Sequence, residues 1–334
     1  MKSVAVVLLN YNGLHWLKKF LGYIVENSPE ADVVLIDNFS KDESVAWFKS
    51  QYPQLQCIEL EENLGYAGGY NAGLKHLKNP YYALLNTDLR VTKNWLTPLL
   101  KEFESQDNTA ILQPHILNQN KTSHFEYAGA AGGYLDRFGF PFCRGRILNT
   151  IEEDHGQYDQ TQDIFWASCA CFLIRNDVFW KLGGFDAAFF AHQEEIDLCW
   201  RAFNLGYQVK AIGTVKVYHV GGGTLAPSSM KVYLNHRNSL FMLVKNLPKQ
   251  DQFYILFIRL FLDGLIGLSY LLRLKPIYTW AIIRAHISFY NSIKSMKEKS
   301  KGSPRKSHYF LIKSILFQYL IKRVLIFSRL YKKN

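Results

Sequence analysis

Three stretches of this sequence carry side chains whose type and spacing could do chemistry. The first is Tyr82-Ala83-Leu84-Leu85-Asn86-Thr87-Asp88-Leu89-Arg90-Val91, an apolar run broken by Asn-x-Asp. It reads as a short buried strand whose C-terminal end delivers one carboxylate to a crevice, which makes Asp88 a candidate metal ligand as well as a candidate turn cap. The second is Gly183-Gly184-Phe185-Asp186, followed by His192-Gln193-Glu194-Glu195-Ile196-Asp197-Leu198-Cys199-Trp200-Arg201. On a helix beginning near Glu194, Asp197 and Arg201 stand four apart and can pair, while Glu194 and Glu195 occupy the first turn, where the helix dipole favours the carboxylate form. A carboxylate there suits a general base that takes a proton from an attacking hydroxyl; an acidic first turn serving helix stability alone is the other reading. The third is a set of polar clusters, Asn10-Tyr11-Asn12-Gly13, Asp37-Asn38 and Asn63-Leu64-Gly65, each following an apolar segment.

The elements that must position these residues follow from periodicity. Residues 4–9 read as a first strand and 14–27 repeat at helical spacing. A second strand covers 32–38, and Ser40 or Asp42 is placed to cap the helix that runs through Phe48. Residues 55–60 form a third strand, and Asn63-Leu64-Gly65-Tyr66-Ala67-Gly68-Gly69-Tyr70-Asn71-Ala72-Gly73 opens the next helix. Strands alternating with helices through residue 100 imply a mostly parallel, doubly wound sheet. The polar strand ends, Asn86-Thr87-Asp88 among them, then fall on one edge and line one crevice. Its chemistry suits a nucleotide: Asp37 or Asn38 can meet base or ribose groups, Tyr11 can pack on the base, and glycines such as Gly65 allow close backbone approach, although helix caps and turns use the same residues. The glycine stretch matches neither G-x-G-x-x-G after a first strand nor G-x-x-x-x-G-K-[ST], which argues against dehydrogenase and P-loop readings.

Residues 101–165 are rich in Gly and aromatics and include a solvated loop at Glu152-Glu153-Asp154-His155. Phe165 to Arg175 reads as a strand, on which Trp166 could floor a sugar site or fill the core. The five cysteines, Cys57, Cys143, Cys169, Cys171 and Cys199, are irregularly spaced. Cys169 and Cys171 share one face of that strand, the wrong geometry for a metal knuckle, so free thiols in a reducing compartment are expected. The N-terminus has one charge and a short apolar run, which reads as a strand and not as a signal peptide.

An apolar fraction of 48% and an aromatic fraction of 15% support a packed core. The net charge of +11 is uneven: residues 231–334 hold 20 Lys/Arg against 3 Asp/Glu, and residues 1–230 hold 19 against 25. An acidic body with a basic, hydrophobic tail fits an anionic membrane surface better than nucleic acid, and it divides the chain into a domain over 1–230 and a helical membrane-associating region over 231–334. Residues 253–274 are apolar but contain Arg259 and Asp263, and 308–331 interleave apolar residues with Lys313, Lys322, Arg323 and Arg329. Neither is an uncharged run of about 20 residues, so helices lying in the membrane interface are expected, with packing on the body or on a second copy in a homo-oligomer as the alternative. The linker 295–306 is polar and basic, suited to anionic head groups.

Taken in order, Asn10-Tyr11-Asn12-Gly13, Ile36-Asp37-Asn38-Phe39-Ser40-Lys41-Asp42, Asn63 to Asn71, Leu84-Leu85-Asn86-Thr87-Asp88, Gly183-Gly184-Phe185-Asp186 and Glu194 to Arg201 resemble the family 2 glycosyltransferases, most nearly the rhamnosyltransferase-like branch. The resemblance covers about residues 1–240. It implies a GT-A fold, an α/β doubly wound mixed sheet, and inverting transfer of a sugar, rhamnose in that branch, from a nucleoside-diphosphate donor to a hydroxyl of a glycan or lipid-linked glycan in cell-surface polysaccharide synthesis. The free thiols and the basic, apolar tail point to a cytoplasmic enzyme, peripheral on the inner face of the cell membrane. By that likeness Asp88 holds a divalent cation, Mg²⁺ or Mn²⁺, on the diphosphate, with His219 completing the metal site. Asp37 and Asn38 contact the nucleoside, and Asn86 stands where many relatives have the first Asp of Asp-x-Asp. Glu195 stands where the family often has Asp as catalytic base, with Glu194 its competitor, and Arg237 in Asn235-His236-Arg237-Asn238 reaches acceptor or donor phosphates. A non-catalytic carbohydrate-binding or scaffold protein on the same fold is the alternative; it would not need Asp88, Glu195 and His219 together.

Overall fold

The structure is a computed structural model that describes residues 2–221 and 228–330. Strands β1 (Val4–Asn10), β2 (Ala31–Asp37), β3 (Gln56–Glu59) and β4 (Tyr81–Leu85) alternate with helices α1 (Leu14–Glu26), α2 (Ser44–Gln51) and α3 (Gly65–Leu74). Strand β1 lies between β2 and β4, parallel to both, and β3 lies parallel beyond β2. Val4 to Leu8 are fully buried, one unbroken Val/Leu/Ala run, because apolar clusters cover both faces of the sheet. Neither Ser40 nor Asp42 caps α2, which starts after Glu43 without a side-chain cap. Asp42 instead accepts from the backbone N–H groups of Ser44 (3.1 Å) and Leu14 (3.1 Å), tying the starts of two helices together.

The apolar run at 82–91 is not one strand. Strand β4 stops at Leu85, the chain turns through Asn86 to Asp88, and β5 (Leu89–Arg90) joins a different partner. After α4 (Leu96–Ser105) comes the long β6 (Thr109–Asn118), and then a small four-stranded sheet of β7 (Gly133–Leu135), β8 (Pro141–Cys143), β9 (Arg146–Ile147) and β10 (Thr150–Ile151). Strand β11 (Gln162–Ile164), β12 (Cys171–Arg175), α5 (Asn176–Lys181), α6 (Glu194–Asn204) and β13 (Gln208–His219) complete the body. The main sheet runs β11-β13-β6-β12-β4-β1-β2-β3, with β5 on the end of β13. It is mixed: β12 enters antiparallel between β4 and β6, while β13 runs parallel to β6. The strand expected over 165–175 begins only at Cys171, because a turn closed by Ser168 precedes it, so Cys169 does not share a strand face with Cys171. All five cysteines are free thiols.

Helices α7 (Ser229–Asn246), α8 (Lys249–Leu272) and α9 (Pro276–Lys299) follow, α7 opening with the Ser228 hydroxyl accepting from Lys231 N–H at 3.2 Å. The expected boundary at residue 230 does not separate two cores: Leu240 to Val244, Leu247, Ile255 and Phe289 belong to the same buried cluster as Ala5 and Val7. In α8 the buried residues are Ile255, Arg259, Asp263 and Gly267, a four-residue period that defines one inward stripe. Arg259 donates to the Phe138 carbonyl (3.0 Å) and the Ser239 hydroxyl (2.9 Å), and Asp263 sits between His236 (3.0 Å) and His286 (3.2 Å), so the two charges pin α8 against α7, α9 and the body. Among the described residues α8 is the one helix long and apolar enough to cross a membrane.

Residues 308–330 correct an expectation. They form no amphipathic helix beyond short turns at Phe317–Ile321 and Phe327–Arg329. The chain returns to the body: Leu311 N–H donates to Leu135 O (2.9 Å), Arg137 N–H to Ile312 O (3.0 Å), and Ile315 N–H to the Asp136 carboxylate (2.9 Å). Tyr309 stacks on Trp200 and Phe327 on Tyr134, so these two rings, which looked membrane-directed, close gaps in the core, while Phe317 stays half exposed. Residue 331 of that segment lies outside the described residues.

Candidate active site

The polar ends of β1 and β2 and the loop before α3 meet at one edge, as the alternation requires. They spend most of their hydrogen-bonding capacity on each other. Asn10 donates its amide to the Asp37 carboxylate (2.9 Å) and the Ser44 hydroxyl (2.8 Å), and Ser40 N–H donates to Asp37 (2.9 Å). Asn38 donates to Asn63 (3.0 Å) and to the Gly65 carbonyl (3.0 Å), and accepts from Leu64 N–H (3.0 Å). Asn10, Asp37 and Asn38 are therefore a buried frame, and Tyr11, 50% exposed, is the open surface at this rim. Asn12 adopts φ 51°, its side-chain oxygen accepting from Lys41 N–H at 2.7 Å, which fixes the turn that presents Tyr11.

Next along the edge stands Asp88, 1% exposed, at the turn between β4 and β5. Its Oδ1 lies 3.0 Å from His219 Nε2 at the end of β13, while its Oδ2 is buried without a partner. On the other side of the ring, Glu126 Oε2 stands 3.5 Å from Nδ1. Burial alone would lower the imidazole pKa, but the flanking carboxylates of Asp88 and Glu126 outweigh it and raise it to about 10. Asn86 places its amide nitrogen 3.2 Å from the same His219 Nε2, so it faces the imidazole. The orphaned Asp88 oxygen fits a Mn²⁺ or Mg²⁺ ion whose other positions are filled by phosphate oxygens and water, and His219 Nε2 can join as a ligand once the cation displaces its proton. Among the described residues no group of three or more His, Cys, Asp or Glu is arranged to hold a metal ion alone.

The carboxylates Glu194 and Glu195 open α6, as their position in the sequence suggests. What delivers them is strained: Phe190 (φ 64°), His192 (φ 70°) and Gln193 (φ 71°) all lie in the left-handed region within four residues. Two contacts hold this loop. The Phe190 carbonyl accepts from Tyr66 N–H (2.6 Å) and Ala67 N–H (3.2 Å) at the start of α3, where Gly65 has φ 70° and an added Cβ would come within 2.5 Å of the Phe190 ring. From α7, the Asn238 amide, fully buried, shares its protons among the carbonyls of Phe189, Ala191 and His192, each at 2.8 Å. Each glutamate has an Oε2 buried without a partner. Burial raises Glu194 well above the ordinary carboxylate range, helped by the charge of Glu195, and raises Glu195 to about 7 against the pull of its backbone hydrogen bonds. Asp197 lies deeper, paired with Arg201 (2.9 Å) and Lys245 (2.8 Å), and anchors the helix.

Tyr66 joins the two halves. Its hydroxyl donates to the Cys169 carbonyl (2.8 Å), stands 3.5 Å from the Asn86 side-chain oxygen, and feels the charge of Glu194. Tyr66 thus ties the loop that leads to Glu194 to the turn that carries Asp88. Trp166 does not line the site: 4% exposed, it packs over Gly133 and donates its indole N–H to Tyr134 O (3.0 Å), so no ring face is free for a sugar. Arg237 donates to the carbonyls of Ala188 (3.0 Å) and Phe189 (3.1 Å) and to the Tyr233 hydroxyl (3.2 Å), steadying the loop before the glutamates. Sequence reasoning missed Glu126, Tyr66 and Asn238. Asn238 adjoins Arg237 and so lay within the recognised motif, whereas Glu126 sits in a Gly-rich stretch with no periodic signal.

This mixed sheet, with a strand-end carboxylate and a helix-borne acidic pair on one edge, is the GT-A fold, and the protein is a glycosyltransferase. The family model for glycosyl transferase family 2 matches residues 5–183, more than half of the chain, and the protein belongs to that family. It is 28% identical to the low-salt glycan biosynthesis hexosyltransferase Agl10 of Haloferax volcanii over 71% of this chain and 74% of that one. It is 22% identical to the N-acetylglucosaminyl-diphospho-decaprenol L-rhamnosyltransferase of Mycobacterium tuberculosis over 64% of this chain and 75% of that one. Among solved structures it is similar to GalNAc-T7 with UDP, GalNAc and Mn²⁺, with a TM-score of 0.59 at 16% identity over 88% of this chain and 58% of that chain. The structure of S. aureus TarS 1-349 in complex with UDP-GlcNAc gives 0.55 at 14% identity over 90% of this chain and 89% of that chain.

Proposed function

We propose that this enzyme transfers a sugar from a nucleoside diphosphate to a hydroxyl of a glycan or lipid-linked glycan, with inversion, in the synthesis of a cell-surface polysaccharide. The observation that carries this reading is the buried Asp88–His219 pair, beside which Tyr66 reaches Asn86 with its hydroxyl and the loop before the Glu194–Glu195 pair with its backbone N–H. Asp88 and His219 would hold Mn²⁺ or Mg²⁺, which when bound neutralises charge on the departing diphosphate. Glu195, raised to about 7, is suited to accept the acceptor's proton near neutral pH. The hydroxyl oxygen bonds to the anomeric carbon as the bond to the diphosphate oxygen breaks; a single displacement inverts the configuration. Burial and the charge of Glu195 push Glu194 well above the ordinary carboxylate range, which favours its neutral form and limits repulsion beside an ionised Glu195. The sugar supported by the rhamnosyltransferase relative's name is rhamnose, and the same name supports a lipid-linked acceptor.

The reading places the enzyme on the inner face of the cell membrane. In its support, α8 exposes Phe253, Phe257, Phe261, Leu265, Leu268 and Leu272 along one outward face, and Leu274, 89% exposed, tips the turn into α9 between Arg273 and Lys275. An apolar edge rimmed by cations suits an anionic leaflet. Binding and turnover with UDP-, dTDP- and GDP-sugars in Mn²⁺, Mg²⁺ and then EDTA test the activity. Metal-dependent binding of one donor, lost in Asp88→Ala, with turnover lost in Glu195→Gln, is expected; absence of nucleotide-sugar binding under every metal overturns the reading.

A further inference from the structure

A groove of ≈ 280 Å³ lies between α7 and α9, lined by Tyr233, Arg284, Ile287, Ser288 and Asn291. Its chemistry is that of an anion site set in an apolar surface. The Arg284 guanidinium lies 5.4 Å from the centre of the Tyr233 ring, is exposed, and takes part in no ion pair among the described residues. Around it on the same helix stand Trp280, Ile283, Ile287 and Tyr290, all exposed. They match in character the exposed apolar face of α8, the helix α9 packs against. A cation at the centre of such a stripe is costly against hydrocarbon unless an anion meets it at head-group level.

The groove also connects to the loop that carries the base. The Arg237 guanidinium lies 5.1 Å from the centre of the same Tyr233 ring, donates to the Tyr233 hydroxyl at 3.2 Å, and holds the carbonyls of Ala188 and Phe189 with its second nitrogen. Tyr233 therefore has guanidinium groups near it from two helices, and its hydroxyl stands between Arg237 and Ser288 at the groove.

We propose that this groove binds the phosphate or diphosphate ester of a membrane-embedded, lipid-linked acceptor, with Arg284 and Tyr233 on the phosphate and the lipid chain along the exposed stripes of α8 and α9. The inference rests on the transferase reading and names the acceptor class of that same site. The glycan end then extends past Arg237 toward Glu195.

The test uses the full-length protein, as wild type, Arg284→Gln, Arg284→Lys and Tyr233→Phe, and flotation with three kinds of vesicle. These are phosphatidylcholine alone, phosphatidylcholine with phosphatidylglycerol, and phosphatidylcholine with a polyprenyl diphosphate at the same surface charge. Wild type is expected to bind the polyprenyl diphosphate vesicles at least fivefold more tightly than the charge-matched ones, Arg284→Gln and Tyr233→Phe to lose that preference, and Arg284→Lys to keep part of it. Arg284 is exposed, so its variants should fold, and a thermal melt checks this. Equal binding of the two anionic vesicles by wild type, an undiminished preference in Arg284→Gln, or equally tight binding of soluble pyrophosphate would overturn the proposal. Donor-sugar binding measured in parallel separates the two readings: donor binding without a lipid preference sinks this inference alone, and neither binding sinks both.

Discussion

The Nε2 nitrogen of His219 stands 3.0 Å from the Oδ1 oxygen of Asp88, across 131 residues of chain. The pair closes β5 against the end of β13, and it leaves Asp88 Oδ2 buried with nothing to bond. A buried carboxylate oxygen without a partner is costly in isolation, which is the physical reason to expect a cation there.

Removing that carboxylate should remove the cation's grip on the donor. Asp88→Ala is expected to weaken Mn²⁺-dependent nucleotide-sugar binding by about tenfold or more, ~1.4 kcal/mol per factor of ten, while binding in EDTA changes little. Calorimetric titration with and without metal measures both.

Glu195→Gln keeps shape and removes the proposed base. Turnover should fall by about 10²- to 10⁴-fold with donor affinity retained. Because Glu195 must be ionised to accept a proton and its pKa is raised to about 7, the wild-type rate should climb as pH rises through about 7 and level off above it. A pH–rate profile with its acid limb near 4 would reassign the base.

Asn238 is the staple of a strained loop. Asn238→Ala leaves the carbonyls of Phe189, Ala191 and His192 without their shared donor and should cost about 1–3 kcal/mol. Thermal melting reads the stability, and a kcat loss larger than the KM change would show that the loop's task is to aim Glu194 and Glu195.

His115 should make the fold acid-sensitive. It is fully buried, and burial, with the neighbouring Arg144 and Lys216, lowers its pKa to about 3. The unfolded chain therefore binds a proton near 6.5 that the folded one refuses, so this stability is present above about pH 6.5 and is lost toward pH 3, at up to ~1.4 kcal/mol per pH unit. Denaturant melts at pH 7.5 and 5.5 should show a smaller difference in His115→Gln.

The returning C-terminal segment should matter to the body. Phe327 is 8% exposed among Tyr134, Phe142 and Tyr158, so Phe327→Ala should cost about 3 kcal/mol. Leu325→Ala, at an exposed position, should stay within about 0.5 kcal/mol. Equal effects would mean that the segment is not docked in solution.

The sequence alone determined the alternation of Val-rich strands and helices through α3, the gathering of Asn10, Asp37, Asn63 and Asp88 on one sheet edge, and the acidic start of α6. Those features depend on neighbours a few residues away: side-chain period, turn residues and helix ends. Tertiary structure decided which distant segment covers each buried polar group, and no local pattern encodes that. It placed Glu126 behind His219, set Asn238 under the loop of Phe190 to Gln193, and, of the two readings open for Trp166, chose the core by sinking it over Gly133. It also folded residues 308–330 back onto Trp200 and Tyr134. A stretch of Leu, Phe, Tyr and Lys reads the same whether its apolar face meets lipid or a gap in the protein's own core. Only the shape of that gap, built by residues up to two hundred positions away, chooses between them.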